Sequence, residues 1–253
     1  MTHPRTQPPN ATLMWALDIA LAMFGLAVFS PIILLAMLAV WWQDGYSPFY
    51  IAKRVGQGER LFDMVKLRSM VKHADQTGVA STSANDDRIT AVGHTIRRYK
   101  LDEITQLWNV LKGDMSLVGP RPNVPQGVAL YTDVERELLS VRPGITDLAS
   151  IVFSDEGEIL KGAANADLLY EQIIRPWKSR LGLFYVQNRT LRMNVELVAL
   201  TALAVLNKAA ALRGVNRILV AGGADPELIR VSERRSALYA HPPPGASEIV
   251  QHC

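Results

Sequence analysis

Arg121 sits between Pro120 and Pro122. The two rings restrict the backbone on both sides of it, and an arginine held this way is a candidate anion ligand. A second loop, Val141-Arg142-Pro143-Gly144-Ile145-Thr146, sets another arginine beside a Pro-Gly turn. Upstream, Arg97, Arg98 and Lys100 form a basic stretch, and two adjacent carboxylates follow at Asp102 and Glu103. Lys66 and Arg68 add two cations nearer the N-terminus. Taken from the residues alone, each group also has a plainer role. Asp102 and Glu103 fit the first turn of a helix, where the dipole favours acids. Arg97 fits a solvated basic face or a lipid headgroup contact. Arg121 fits a turn arginine paired to a carbonyl. Lys66 and Arg68 divide evenly between headgroup contact and site rim.

The elements that would position these groups are short. Residues 50–54 and 60–66 are mixed apolar and basic runs around Val55-Gly56-Gln57-Gly58-Glu59, which reads as a β-hairpin with a glycine turn. The GxG there lacks a third glycine and a following Lys-Ser/Thr, so a turn is the better reading than a nucleotide loop. Residues 78–85 are small and polar, as in a surface loop, and Asp87 and Arg88 could pair with each other there. From Thr90, Val92, Ile96 and Tyr99 have helical spacing. Leu101, Ile104, Leu107, Trp108 and Leu111 form the apolar face of a second helix, with Gly113 as its C-cap. Leu107, Trp108 and Leu111 read as core packing, and Asp114 as structural. Residues 195–206 suit a core helix or one lying in a membrane interface. Residues 217–223 could form a strand and 226–235 a short helix. With three successive prolines, residues 241–253 read as disordered.

Residues 19–42 carry no charge, and about 20 such residues cross a bilayer core. A cleaved signal peptide fits poorly, because the run is too long and no small-x-small site closes it. Pro31 crowds the carbonyl of Ala27, and the Ser30 hydroxyl can bond back up the helix in compensation. A kink at Ser30-Pro31 is therefore expected, and either a kinked span or a re-entrant hairpin satisfies it. Lys53, Arg54, Arg60, Lys66, Arg68 and Lys72 follow the segment and place that side in the cytoplasm. Trp41 and Trp42 suit an interfacial anchor.

Across 253 residues the net charge is only +3, too little to argue for nucleic acid. The single cysteine, Cys253, excludes a disulfide framework within one chain. The five histidines are scattered, with no zinc-ligand spacing. No GxSxG or HExxH motif supports a hydrolase.

Several motifs resemble those of a known family. They are Lys66-Leu67-Arg68-Ser69-Met70, Asp87-Arg88-Ile89-Thr90, Leu101-Asp102-Glu103, the stretch from Gln106 to Pro122 (QLWNVLKGDMSLVGPRP), and Arg142-Pro143-Gly144-Ile145-Thr146. In order and spacing, from about Leu13 to about Leu206, they resemble the bacterial sugar transferases, monotopic polyprenyl-phosphate phosphoglycosyl transferases. The resemblance extends to Tyr185-Val186-Gln187-Asn188 and to the Ser30-Pro31 break.

The resemblance implies a mostly α fold with a small β-hairpin, an N-terminal re-entrant membrane helix broken at Ser30 and Pro31, and interfacial amphipathic helices. It implies three parts: 1–48 with the membrane helix, 49–208 as the catalytic domain, and 209–253 as an extension outside the match. That extension could support a homodimer or nothing. The implied catalytic dyad is Asp102-Glu103, with Mg²⁺ held by Glu103 and Asp102. Arg97 and Arg121 match phosphate-binding arginines, and Lys66 and Arg68 would join them. The implied partners are a UDP-sugar, polyprenyl (undecaprenyl) phosphate and membrane lipids, at the cytoplasmic face of a bacterial inner membrane. The reaction would start an exopolysaccharide, capsule, lipopolysaccharide O-antigen or glycoprotein glycan. Ala52, Asp147, Leu148, Ser150 and Asn194 depart from the family pattern and bear on acceptor or sugar specificity. A non-catalytic membrane scaffold in a polysaccharide assembly complex is the alternative, and the intact dyad argues against it.

Overall fold

The computed structural model describes residues 11–74 and 86–251. The polar loop expected at 78–85 lies outside the described residues. The first element, α1 (Ala11–Asp44), is a 34-residue helix that contains Pro31. Proline leaves the Ala27 carbonyl without its helical donor. Ser30 Oγ donates to that same carbonyl at 2.8 Å, so the helix runs unbroken through the proline. By length and composition, α1 alone among the described helices is long and apolar enough to cross a membrane.

Both ends of α1 dock on the rest of the chain. Asp18, buried near its start, accepts from Ser116 Oγ at 2.6 Å and from the Leu117 amide at 3.2 Å. Ala22 packs with Phe62, Met64, Val110 and Met115. Near the other end, Val40 packs with Leu67 and Ile96, and Asp44 meets Arg68. Between these contacts, residues 27–32 are exposed on every side.

The hairpin is as expected. Strands β1 (Phe49–Val55) and β2 (Leu61–Leu67) pair antiparallel, with Tyr50 opposite Lys66 and Val55 opposite Leu61. Gly58 turns between them at φ 63°, a conformation that glycine adopts without steric cost. Helix α2 (Ala91–Arg98) starts at Thr90, whose hydroxyl accepts from the Gly93 amide. The Asp87–Arg88 pair is corrected: Arg88 binds Asp86, with Nη2 to Oδ2 at 2.6 Å. The two acids differ by one position, and the fork geometry of the guanidinium selects the one that faces it.

The second expected helix is divided into α3 (Leu101–Ile104) and α4 (Leu107–Leu111). Gln106 N bonds Glu103 O and Trp108 N bonds Thr105 O, a tighter spacing than the α-helix. The Thr105 hydroxyl shares itself between the Asp102 and Val65 carbonyls, both at 3.2 Å, and draws this turn toward β2. Gly113 ends the segment at φ 81°. Leu107 and Leu111 do pack inward, but Trp108 is 54% exposed, so it is a surface residue. Asp114 is structural, bound by Lys112 at 3.0 Å and Asn109 Nδ2 at 3.3 Å.

Short strands β3 (Ser116–Val118) and β4 (Gly144–Thr146) pair in parallel with a helix between them, α5 (Pro125–Ala129). Then follow α6 (Leu148–Val152), α7 (Glu156–Ile159), α8 (Ala166–Leu169), α9 (Arg175–Asn188), α10 (Leu191–Leu206), α11 (Lys208–Ala221) and α12 (Pro226–Ser232). The largest core gathers Leu148, Ile151, Trp177, Leu181, Leu197, Val215 and Leu219 from four of them. The strand expected at 217–223 is instead the end of α11. Asn207 caps that helix through Ala210 N at 2.9 Å. Ala211, Leu212, Val215, Ile218 and Leu219 are buried at helical spacing. Residues 241–251 are also corrected: they fold back on the helices, because His241 packs on Trp177 and the Val250 carbonyl accepts from Gln172.

Candidate active site

Lys100 separates α2 from α3 in the left-handed conformation, φ 56°. A non-glycine residue there costs about 1–2 kcal/mol, and the reversal it makes sets Asp102 and Glu103 on the first turn of α3. The opposite wall comes from β2. Asn109 on α4 accepts from the Val65 amide at 3.0 Å and donates to the Asp63 carbonyl at 2.7 Å. With Thr105 on the Val65 carbonyl, α3 and α4 are stitched to the strand edge that β1 does not cover, which fixes the next residue, Lys66.

The third wall is the loop after β3. Gly119 and Gly144 meet backbone to backbone: Gly119 N bonds Thr146 O at 3.0 Å and Gly144 N bonds Pro120 O at 3.1 Å. A Cβ on Gly144 would lie 2.1 Å from Gly119 N, so only glycine fits. The two motifs around Arg121 and Arg142 are therefore one folded unit.

These walls bring four of the expected residues together. Arg121 Nη2 lies 2.5 Å from Glu103 Oε1, and its Nη1 donates to the Ile145 carbonyl at 3.3 Å. Lys66 Nζ lies 3.9 Å from Asp102 Oδ2. Asp102 Oδ1 is buried with no hydrogen-bond partner. Arg97, at the end of α2, acts on Asp102 through its charge. Arg68 does not join them. Its Nη1 and Nη2 bind Asp44 at 2.5 and 2.6 Å and its Nε donates to the Ser47 carbonyl at 2.9 Å. Arg68 lies just past the end of β2 at Leu67, where the pairing stops, and Asp44 and Ser47 hold its guanidinium against the end of α1.

The electrostatics follow from burial and like charge. Burial disfavours the Asp102 carboxylate and pushes its pKa up, against the pull of Lys66, Arg97 and Lys100. Burial opposes the Glu103 charge too, but Arg121, Lys100 and Lys66 outweigh it and hold that group at about 2. Burial, with repulsion from Arg121, lowers Lys66 to about 8. Glu103 in turn raises Arg121. Arg54 of β1, seen in the sequence only as one of several basic residues after the apolar run, sits close enough to Arg121 and Lys66 for their charges to act on one another. The strand period was the available signal, because Arg54 and Ala52 lie on one face of β1. Ala52 and Asp147, two departures from the family pattern, are both buried, and Asp147 caps α6 through Ser150 N at 2.6 Å. Asn194 accepts from the Tyr185 hydroxyl at 2.9 Å.

A hard divalent cation takes oxygen ligands, often one or two carboxylates plus substrate phosphates. The unpartnered Asp102 Oδ1 beside the ionised Glu103 fits such an ion.

The model of the family "Bacterial sugar transferase" matches residues 10–208. Over 205 residues the chain is 32% identical to the UDP-N-acetylgalactosamine-undecaprenyl-phosphate N-acetylgalactosaminephosphotransferase of Aeromonas hydrophila, covering 79% of this chain and 45% of that one. It is 36% identical over 169 residues to the UDP-glucose:undecaprenyl-phosphate glucose-1-phosphate transferase of Caulobacter vibrioides, covering 64% and 63%. It is 33% identical over 189 residues to the uncharacterized sugar transferase EpsL of Bacillus subtilis, covering 75% and 85%. The chain thus spans less than two thirds of the length of the first two relatives. The matched region holds α1, the hairpin, both carboxylates and the Arg121 loop, and it places the chain in the bacterial sugar transferase family.

Proposed function

We propose that this chain is a phosphoglycosyl transferase that moves a sugar 1-phosphate from a UDP-sugar to polyprenyl phosphate at the cytoplasmic face of a bacterial inner membrane. One observation carries the mechanism: a buried carboxylate, Asp102, with an unpartnered oxygen among cations. A carboxylate needs no base to act as a nucleophile; its difficulty is repulsion by phosphate oxygens. Lys66, Arg97 and Arg121 reduce that repulsion. Glu103 and Asp102 would hold Mg²⁺, which neutralises phosphate charge when bound.

In the first step an Asp102 oxygen bonds the β-phosphorus. The bond from that phosphorus to the bridging oxygen breaks, and UMP leaves with the oxygen. In the second step an oxygen of polyprenyl phosphate bonds the same phosphorus and the aspartyl bond breaks, restoring the carboxylate. The lipid product carries the sugar through a diphosphate and starts a glycoconjugate. Glu103 stays ionised throughout, and Arg121 keeps one side on Glu103 while its remaining donors face phosphate.

The membrane arrangement has its own support. The 34-residue apolar α1 docks on the rest of the chain near both ends while residues 27–32 stand exposed, which suits a helix whose uncovered middle lies in lipid. Tyr99 and Trp108, both more than half exposed, flank the carboxylates in sequence and suit interfacial contact. The deciding experiment is Asp102→Asn in lipid nanodiscs with a set of UDP-sugars, Mg²⁺ and undecaprenyl phosphate. UMP release and labelled adduct on the protein should both vanish. Full turnover in that variant would exclude Asp102 as nucleophile.

A further inference from the structure

We propose that the last turn of α1 is part of the site's scaffold, and that Asp44 and Arg68 are positioning residues for Lys66, Arg97 and Asp102. The proposal rests on the transferase reading of those three groups. Arg68 is the joint. Its two terminal nitrogens close on both Asp44 oxygens at 2.5 and 2.6 Å. Its Nε holds the Ser47 carbonyl, and its backbone amide holds the Pro48 carbonyl at 2.8 Å. The end of the membrane helix, the turn after it and the end of β2 are thus tied at one side chain that is 8% exposed.

Beneath this joint lies a small apolar cluster. Val40 of α1, Leu67 of β2 and Ile96 of α2 are buried against one another, with Leu101 at their border. Leu67 follows Lys66, Ile96 precedes Arg97 and Leu101 precedes Asp102. Each of the three charged groups is therefore one peptide bond from a side chain that packs on the end of α1. A close-packed cluster transmits displacement instead of absorbing it, so a shift of Val40 relative to β2 moves all three groups together. A bidentate guanidinium–carboxylate pair fixes distance and angle at once, which a lysine in the same place does not.

The test uses the full chain in nanodiscs with Asp44→Asn, Arg68→Lys and the swap Asp44→Arg with Arg68→Asp. Asp44→Asn and Arg68→Lys should each lower kcat for UMP release by about tenfold or more, with KM for the donor and membrane partition unchanged. The swap should recover part of the rate. Hydrogen exchange at the amides of residues 101–106 should quicken in Asp44→Asn, a measurement that needs no turnover. Wild-type kcat and wild-type exchange in Asp44→Asn would overturn the proposal. So would a rise in KM alone in Arg68→Lys, which would make Arg68 a substrate ligand, or a loss of membrane partition in place of rate. A wild-type protein that releases no UMP from any donor would count against the transferase reading, and the exchange comparison would still decide the joint.

Discussion

Two charged clusters in this molecule are built from the same residue types and finished differently. Around Arg175, every polar group is partnered. Its Nη2 and Nε bind Glu135 at 2.6 and 3.2 Å, Nη1 binds Glu171, and Nη2 also reaches the Leu130 carbonyl. Glu135, wholly buried, takes Ser179 Oγ at 2.6 Å and the Thr132 amide at 3.0 Å as well. Around Asp102, one oxygen is buried without a partner and the Lys66 ammonium stands 3.9 Å from the other. A satisfied network holds elements together, whereas an unsatisfied buried acceptor is costly to keep and is kept where something is to bind or react.

The sharpest way to break this contrast is to remove each carboxylate. Asp102→Asn should cut turnover below about one thousandth of wild type, with an unfolding midpoint equal to or above wild type, because a buried charge has been removed. Glu135→Leu should do the opposite. It leaves Arg175 Nε and the Thr132 amide without their acceptor, while Glu171 still pairs the guanidinium, and should cost about 3 kcal/mol in denaturant unfolding, with kcat per folded molecule unchanged. If Glu135→Leu lost activity without stability, the two clusters would not differ in kind.

A smaller effect lies in pH. Lys66 sits at about 8 against an ordinary 10.5. If its ammonium is needed, kcat should fall as pH rises through about 8, and Lys66→Arg should move that limb upward. Stability runs the other way. Between about 8 and 10.5 the unfolded chain holds the proton more tightly, so this group's contribution to stability rises with pH. Smallest of all is Lys53→Ala. Its pair with Asp63, 2.8 Å long and exposed on both sides, should shift stability by less than about 0.5 kcal/mol and leave turnover unchanged.

What the sequence revealed was local. The Ser30–Pro31 repair, the glycine turn of the hairpin, the helix that begins after Thr90 and the Gly113 stop each depend on residues close together in the chain. The carboxylate pair and Arg121 were legible through the motifs that carry them. Arg68 was not, because its partner Asp44 lies 24 positions back and nothing in the spacing announces it. Asp86 and Asp87 were indistinguishable without the fold. The division at Thr105 depends on a strand carbonyl 40 positions away. The prolines after His241 suggested disorder because composition alone cannot show which surface a stiff segment will cover.

That covering segment has a practical consequence. Trp177, fully buried on the central helix α9, has Tyr239 and His241 edge-on at 5.3 and 4.6 Å. Thr132 binds the Pro244 carbonyl and Gln172 binds the Val250 carbonyl at 2.8 Å. The stretch works as a clasp, so trimming it to simplify expression would bare an indole and invite clumping. Affinity handles are better placed elsewhere, and a protease nick ahead of Tyr239 should loosen the helical core well before it touches the carboxylate pair.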